Sequence, residues 1–281
     1  MNKKMVIFGG QDPEEQAARE IARVVGLIIA TATTADGKKV HGGNAYQANS
    51  FVVDEGILEN VTQVIIFECS PACAGEREVV AICDHHNPGD AGWGKGADQF
   101  WEASSLGQFC SLVGFEPTKE LLMVAAGDHC PADAYAGNCA GVDPARFAEF
   151  RIAGKVAFYA SNPKTADKAD PSKIRDAILV AREKLESAPV VNGVRDLRDA
   201  GMVDELPEAA LSEGFAYMAE IPDVDRDRNP TGNRKIVLGG HTTTETVERF
   251  LEWARLLENR VGEPYGNPAR GFAGVVVKLA K

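Results

Sequence analysis

The chain has 281 residues, 44% hydrophobic and 25% charged, with a formal net charge of -11. That composition is ordinary for a globular protein of one large domain or two ordinary ones. It argues against a membrane protein, because no apolar run approaches the roughly 20 residues of a bilayer crossing. It also argues against binding to long nucleic acid, which relies on Lys and Arg to neutralise phosphates. The first residues are too short in their apolar part for a secretory signal, so a cytoplasmic location is expected.

Residues 5–10 are apolar up to Gly9-Gly10 and predict a first strand. Asp12-Pro13-Glu14-Glu15 then opens a helix. Asp12 suits the N-cap, Pro13 the first turn, and both glutamates complement the dipole. Ala17, Ala18, Ile21, Ala22 and Val25 give that helix one apolar face. Residues 27–33 are apolar and β-branched and predict a second strand; Asp36-Gly37 is a hairpin-type turn, and 51–53 a further short strand. Val64-Ile65-Ile66-Phe67 reads as a buried strand running into Glu68. Residues 79–82 read as another, running into Asp84-His85-His86 and the turn Asn87-Pro88-Gly89-Asp90.

A helix is predicted over 103–112. The apolar stretch 121–126 ends at Gly127-Asp128-His129-Cys130 and suits a helix or a strand equally. Asp143 caps a helix over 144–153, and 161–170 is a loop. The next helix carries Ile174, Ala177, Ile178, Ala181 and Leu185 on one face and runs to about 187. Beyond a linker at 189–205 and a charged loop at 223–233, residues 235–241 form a strand ending in Gly239-Gly240-His241. A helix over 242–259 and a strand over 271–279 close the chain.

The cysteines, Cys69, Cys73, Cys83, Cys110, Cys130 and Cys139, lack the paired spacing of a zinc knuckle. They read as reduced, partly buried small residues. The histidines carry more information. His85 and His86 follow Asp84, His129 follows Asp128, His241 follows Gly239-Gly240, and His41 precedes Gly42-Gly43. Imidazole with carboxylate is metal-binding chemistry, and such a site activates water and neutralises a phosphoryl oxygen. Open α/β sheets hold their sites just past the carboxyl ends of strands, where Asp84-His85-His86 falls.

These residues resemble the DHH phosphoesterase superfamily, which includes RecJ-type exonucleases and NrnA-type oligoribonuclease/phosphatases. Asp84-His85-His86 is similar to its naming motif, and residues 64–68 to its second motif, a strand ending in an acid. Residues 103–109, Ala-Ser-Ser-Leu-Gly-Gln-Phe, resemble the helix start that follows. Residues 121–128 resemble the fourth motif, and 235–241 the Gly-Gly-His element of the C-terminal domain. The first motif departs: Gly10 stands where the family has a metal-binding His, Glu14 and Gln16 where it has two Asp. Glu68 replaces the second-motif Asp.

The resemblance implies an α/β fold: an N-terminal parallel-sheet domain of the DHH type over 1–188, a linker at 189–205, and a smaller α/β C-terminal domain over 206–281, with a cleft between them. It implies one metal site at Glu68, His85 and Asp128, holding a divalent metal, Mn2+ ahead of Mg2+ or another ion. The second site would need Asp12, Glu14, or an outside residue such as His41 or His129, to substitute. Asp84 would support the ligands from behind. His86 and His241 would act on the phosphoryl group, with Gly239, Gly240 and His129 at the substrate. Gly239-Gly240 before a helix suits an anion cradle.

The expected activity is metal-dependent hydrolysis of a small phosphorylated substrate such as a nucleotide or short oligonucleotide, with no long nucleic acid and no membrane as partner, in a homodimer. The alternative is a non-hydrolytic nucleotide- or phosphate-binding protein on the same fold. A third reading is different metal chemistry using His129, Cys130 and His41.

Overall fold

Strands covered on both faces are apolar without alternation, and the centre of the first sheet is built from such strands. In the computed structural model, which describes residues 3–224 and 229–279, β1 (Lys3–Phe8), β2 (Ile28–Thr33), β3 (Ser50–Glu55), β4 (Val61–Phe67) and β5 (Glu78–Cys83) lie in the order β3-β2-β1-β4-β5. β1 pairs in parallel with β2 and β4, and β4 in parallel with β5; β3 is antiparallel to β2 at the edge. Met5, Ile7, Val64 and Ile66 pack on one face with Cys69 and Cys73. Val6, Phe8, Ile65 and Phe67 pack on the other with Leu106 and Phe109.

The helices of this unit start where caps predict. α1 (Pro13–Val24) begins at Asp12, whose carboxylate accepts from the Glu15 N–H at 2.9 Å. The helix predicted over 103–112 is present from 105 and is preceded by a separate short turn of helix. α2 (Phe100–Ala103) stops at Ser104, an extended residue whose hydroxyl caps α3 (Ser105–Val113) by accepting from the Gly107 N–H at 3.1 Å. The ambiguous stretch 121–126 is helical. It lies in α4 (Lys119–His129), capped by Thr118, and α5 (Pro131–Ala136) follows directly. Asp143 accepts from the Arg146 N–H at 2.9 Å and opens α6 (Pro144–Ala160), which runs beyond the predicted 144–153.

The chain divides into two compact units, Met1–Phe147 and Ala148–Lys281. The second unit contains α7 (Pro171–Ser187), β6 (Val190–Val191), β7 (Val194–Leu197), α8 (Leu206–Glu213), β8 (Ala216–Val224), β9 (Pro230–Gly240), α9 (Thr244–Arg255), β10 (Tyr265–Asn267) and β11 (Phe272–Lys278). Its sheet runs β10-β11-β9-β8-β7-β6 and is antiparallel except for the parallel pair β7–β8. Ile236, Leu238, Val275 and Val277 pack there under Val247 and Phe250 of α9.

The division thus falls inside α6 rather than at 189–205. That expected linker carries β6 and β7, because Val194 and Leu197 are buried by pairing with Ala216 and Ala219 of β8. Its local composition resembles a linker; the pairing that orders it comes from farther along the chain. Residues 225–228 of the predicted charged loop lie outside the described residues, and its flanks extend β8 and β9.

Candidate metal centre

The chain leaves β1 for β2 on one side and returns to β4 on the other, so the carboxyl ends of β1 and β4 adjoin at a topological switch point. Parallel sheets leave a crevice there. Gly9, just past β1, donates its N–H to the Phe67 carbonyl at 3.1 Å. A Cβ on Gly9 would sit 2.1 Å from the Glu68 carbonyl oxygen, so only glycine permits this approach. Glu68, just past β4, has φ +49°, a left-handed conformation costing a non-glycine residue about 1 kcal/mol or more.

Glu14 enters from the first turn of α1. Its Oε1 accepts from the Leu106 N–H at 3.0 Å, while Glu68 Oε1 accepts from the Ser105 hydroxyl at 2.7 Å. Both donors lie in the first turn of α3, so the break at Ser104 presents a helix N-terminus to two carboxylates.

Past β5, the Asp84 carboxylate accepts from the His85 N–H at 2.7 Å, the His86 N–H at 3.0 Å and the Tyr46 hydroxyl at 2.9 Å. It also lies 2.9 Å from His86 Nδ1. Asp84 therefore shapes the turn that carries both imidazoles and supports them from behind. Gln108 clasps the same turn, accepting from the Asp84 N–H at 3.1 Å and donating to its carbonyl at 2.9 Å. His85 Nε2 lies 3.0 Å from Asp128 Oδ2, at the end of α4, and 3.6 Å from Glu68 Oε1. One ligand atom each from Glu14, Glu68, His85 and Asp128 falls within 4.8 Å of the others; Glu68, His85 and His86 form an overlapping set.

Hydrogen bonds behind His85 decide which way its lone pair points. His129 Nε2 lies 3.0 Å from the Lys95 carbonyl, which only accepts, so Nε2 carries the proton. In the neutral ring His129 Nδ1 is then an acceptor, and His85 Nδ1, 2.9 Å away, must donate to it. That leaves a bare lone pair on His85 Nε2, facing the carboxylates. Nε2 is fully buried and no hydrogen bond reaches it, and the same holds for Glu14 Oε2.

The electrostatics agree. Burial, then the charges of Asp128 and Glu68, push the Glu14 carboxyl well above its usual range. Burial, then Asp128 and Asp12, do the same to Glu68. Burial alone would raise Asp84, but its bonds from His86 and Tyr46 hold it below the usual range. Buried Glu14 and Glu68, with no Lys or Arg among the described residues in an ion pair with either, face an imidazole lone pair and fit a divalent cation, whose charge would offset their mutual repulsion.

The sequence-predicted residues separate accordingly. Glu68, His85 and Asp128 come together, and Glu14 joins them; His86 borders them beside Glu68. Asp12 serves as the α1 cap, and Gly10 donates its N–H to Glu15 Oε1 at 2.5 Å. His41 is exposed and bonded within its own loop, accepting from the Gly43 N–H at 3.1 Å, outside the metal cluster. His129 sits behind His85. Gly239, Gly240 and His241 belong to the second unit. There the N–H groups of His241 and Thr242, which a cradle would direct at an anion, donate to Phe215 and Gly240 at 2.9 and 3.1 Å. Sequence reasoning missed Tyr46 and Gln108 as partners of Asp84; only the polarity of both hinted at them.

No helix among the described residues is long and apolar enough to cross a membrane. No protein-family model matches the chain, and no curated protein sequence is similar to it. Among solved structures, a crystal structure of exonuclease RecJ bound to manganese is similar at 13% identity, covering 99% of this chain and 86% of that chain with a TM-score of 0.40. At that level of identity and superposition the neighbour's chemistry does not transfer to this chain.

Proposed function

We propose that the protein is a divalent-metal-dependent phosphoesterase of the DHH type, acting on a small phosphorylated substrate such as a nucleotide or short oligonucleotide. One observation carries the reading: the His85 Nε2 lone pair and the unbonded Glu14 Oε2 converge, fully buried, with Glu68 and Asp128. Glu14, Glu68, His85 and Asp128 would hold the ion; three carboxylates with one imidazole suit Mn2+ better than Mg2+, which takes oxygen ligands. When bound, the cation supplies charge neutralisation at a phosphoryl oxygen and acidifies water.

The protein's own groups do the rest. His129 fixes the His85 tautomer, and the α3 N-terminus holds Glu14 and Glu68 in place. Asp84 fixes the orientation of the half-buried His86 ring through Nδ1, leaving Nε2 to exchange a proton or hydrogen bond with a phosphoryl oxygen. His241 is exposed on the second unit, and its imidazole, rather than the sheet-paired Gly239 and Gly240, is proposed as a further phosphate contact. The net charge of -11 favours a short substrate over long nucleic acid.

A phosphate-binding protein without hydrolysis is favoured by one specific feature. In the first-motif stretch Gly10 offers no ligand, and Glu15 folds back onto the Gly10 N–H. Calorimetric titration with Mn2+ and assays on a generic phosphodiester and phosphomonoester separate the two readings. Binding with turnover, lost in His85→Ala of unchanged circular dichroism, is expected for the enzyme. Binding without turnover supports the second reading, and no binding sinks the metal centre.

A further inference from the structure

Cys130 Sγ lies 3.3 Å from Cys139 Sγ, a separation close enough for a bond to form with little movement. Cys69 and Cys73 are also paired, at 3.8 Å, but both are only 1% exposed. Cys130 is partly exposed, so a reagent can meet it, while Cys139 lies buried against it.

Cys130 also occupies the junction of two helices. Its N–H donates to the Ala126 carbonyl at 3.0 Å and ends α4, and its own carbonyl accepts from the Ala134 N–H at 3.0 Å and begins α5. It directly follows His129, the partner of His85, and stands two residues past Asp128. Whatever moves the Cys130 side chain acts on the helix end that carries both.

We propose that Cys130 and Cys139 are a redox modification site, a reversible disulfide that controls the metal centre through Asp128 and His129. Its consequence for the metal rests on the reading above; the disulfide itself does not. The oxidant is a small-molecule disulfide such as oxidised glutathione. The Cys130 thiolate attacks one glutathione sulfur, breaking that S–S bond and releasing one glutathione thiolate. The Cys139 thiolate then attacks the Cys130 sulfur of the mixed disulfide, expelling the second glutathione. The two cysteines are oxidised by two electrons, glutathione disulfide is reduced to two thiols, and the two cysteine protons pass to those thiolates through solvent.

Bond formation shortens the sulfur separation from 3.3 Å to about 2.05 Å. Metal–ligand distances tolerate only about 0.2 Å, so displacement at the end of α4 is felt at Asp128 and at His85 through His129.

The test takes the full chain, reduced, and incubates it with oxidised glutathione. Peptide mapping by mass spectrometry without reductant reads the cross-link, and calorimetry with Mn2+ alone reads affinity. The expected result is a Cys130–Cys139 cross-link and a fall in Mn2+ affinity of about tenfold, reversed by dithiothreitol. Both changes are absent in Cys139→Ser. If that variant fails to fold, Cys130→Ser at the partly exposed position replaces it. Absence of the cross-link in wild type overturns the proposal while the metal reading stands. A cross-link with unchanged affinity also overturns it. Reduced protein that binds no Mn2+ overturns the metal reading and the control together, with the cross-link still read by mass.

Discussion

Glu205 and Glu208 in the second unit are 6% and 1% exposed, and Glu14 and Glu68 in the first are 1% and 7%. Equal burial conceals opposite arrangements. In the second unit Lys155 Nζ lies 2.7 Å from Glu205 and the Tyr159 hydroxyl donates to it at 2.5 Å. Arg151 grips Glu208 with two bonds, of 3.0 and 2.8 Å. In the first unit Glu14 and Glu68 receive hydrogen bonds from an N–H and a hydroxyl, and no Lys or Arg among the described residues pairs with either. A buried carboxylate with a built-in cation has its charge balanced within the fold; the proposed metal centre would balance Glu14 and Glu68 with a charge from outside. The difference teaches where to look for chemistry, which burial alone does not.

The contrast can be broken at either end, and the largest effect belongs to the second unit. Arg151→Ala leaves Glu208 buried without its fork and should cost about 3 kcal/mol of stability, read by urea denaturation. A loss within experimental error would show that the pair is not structural. Next comes the proposed cation: Mn2+ at a hundred times its Kd should stabilise the protein by about 2.7 kcal/mol, reversed by EDTA. Equal melting with and without Mn2+ would remove the contrast.

His129→Ala releases the His85 tautomer and should weaken Mn2+ binding by about tenfold, with circular dichroism unchanged. An unaltered affinity would mean that the Lys95–His129–His85 chain does not orient the ligand. The smallest effect has the most telling sign. Glu14→Gln keeps the acceptor for Leu106 but removes a charge, so the metal-free protein should gain about 1 kcal/mol of stability while its Mn2+ affinity falls. The corresponding Glu208→Gln should lose stability, because Arg151 then lacks its counter-charge, while Lys155 keeps Glu205.

Much of the candidate site was legible because its signals are local. An apolar run followed by Asp84-His85-His86 announced a strand end, as did the run before Glu68. Asp12-Pro13 announced α1, and Asp143 announced α6. The resemblance drew Asp128 into the same group. Less of the rest could be read. Glu14 is one of several candidate substitutes for a second site, and the contact that sets it with Glu68 comes from Leu106, 92 residues away. Ala103-Ser104-Ser105 reads as a helix start, but nothing local shows that Ser105 turns toward Glu68. Residues 189–205 read as a linker for the same reason, since the strand that buries them follows later in the chain.

What the sequence by itself determined is the set of elements and the residue types at their ends, because hydrophobic period, caps and turn chemistry act over a few residues. The tertiary structure alone decided which of those ends meet: it gathered Glu14, Glu68, His85 and Asp128, set His129 behind His85, and gave Glu205 and Glu208 their cations. A carboxylate is a ligand or a structural ion according to what charge lies within a few ångströms of it, and chain folding sets that distance.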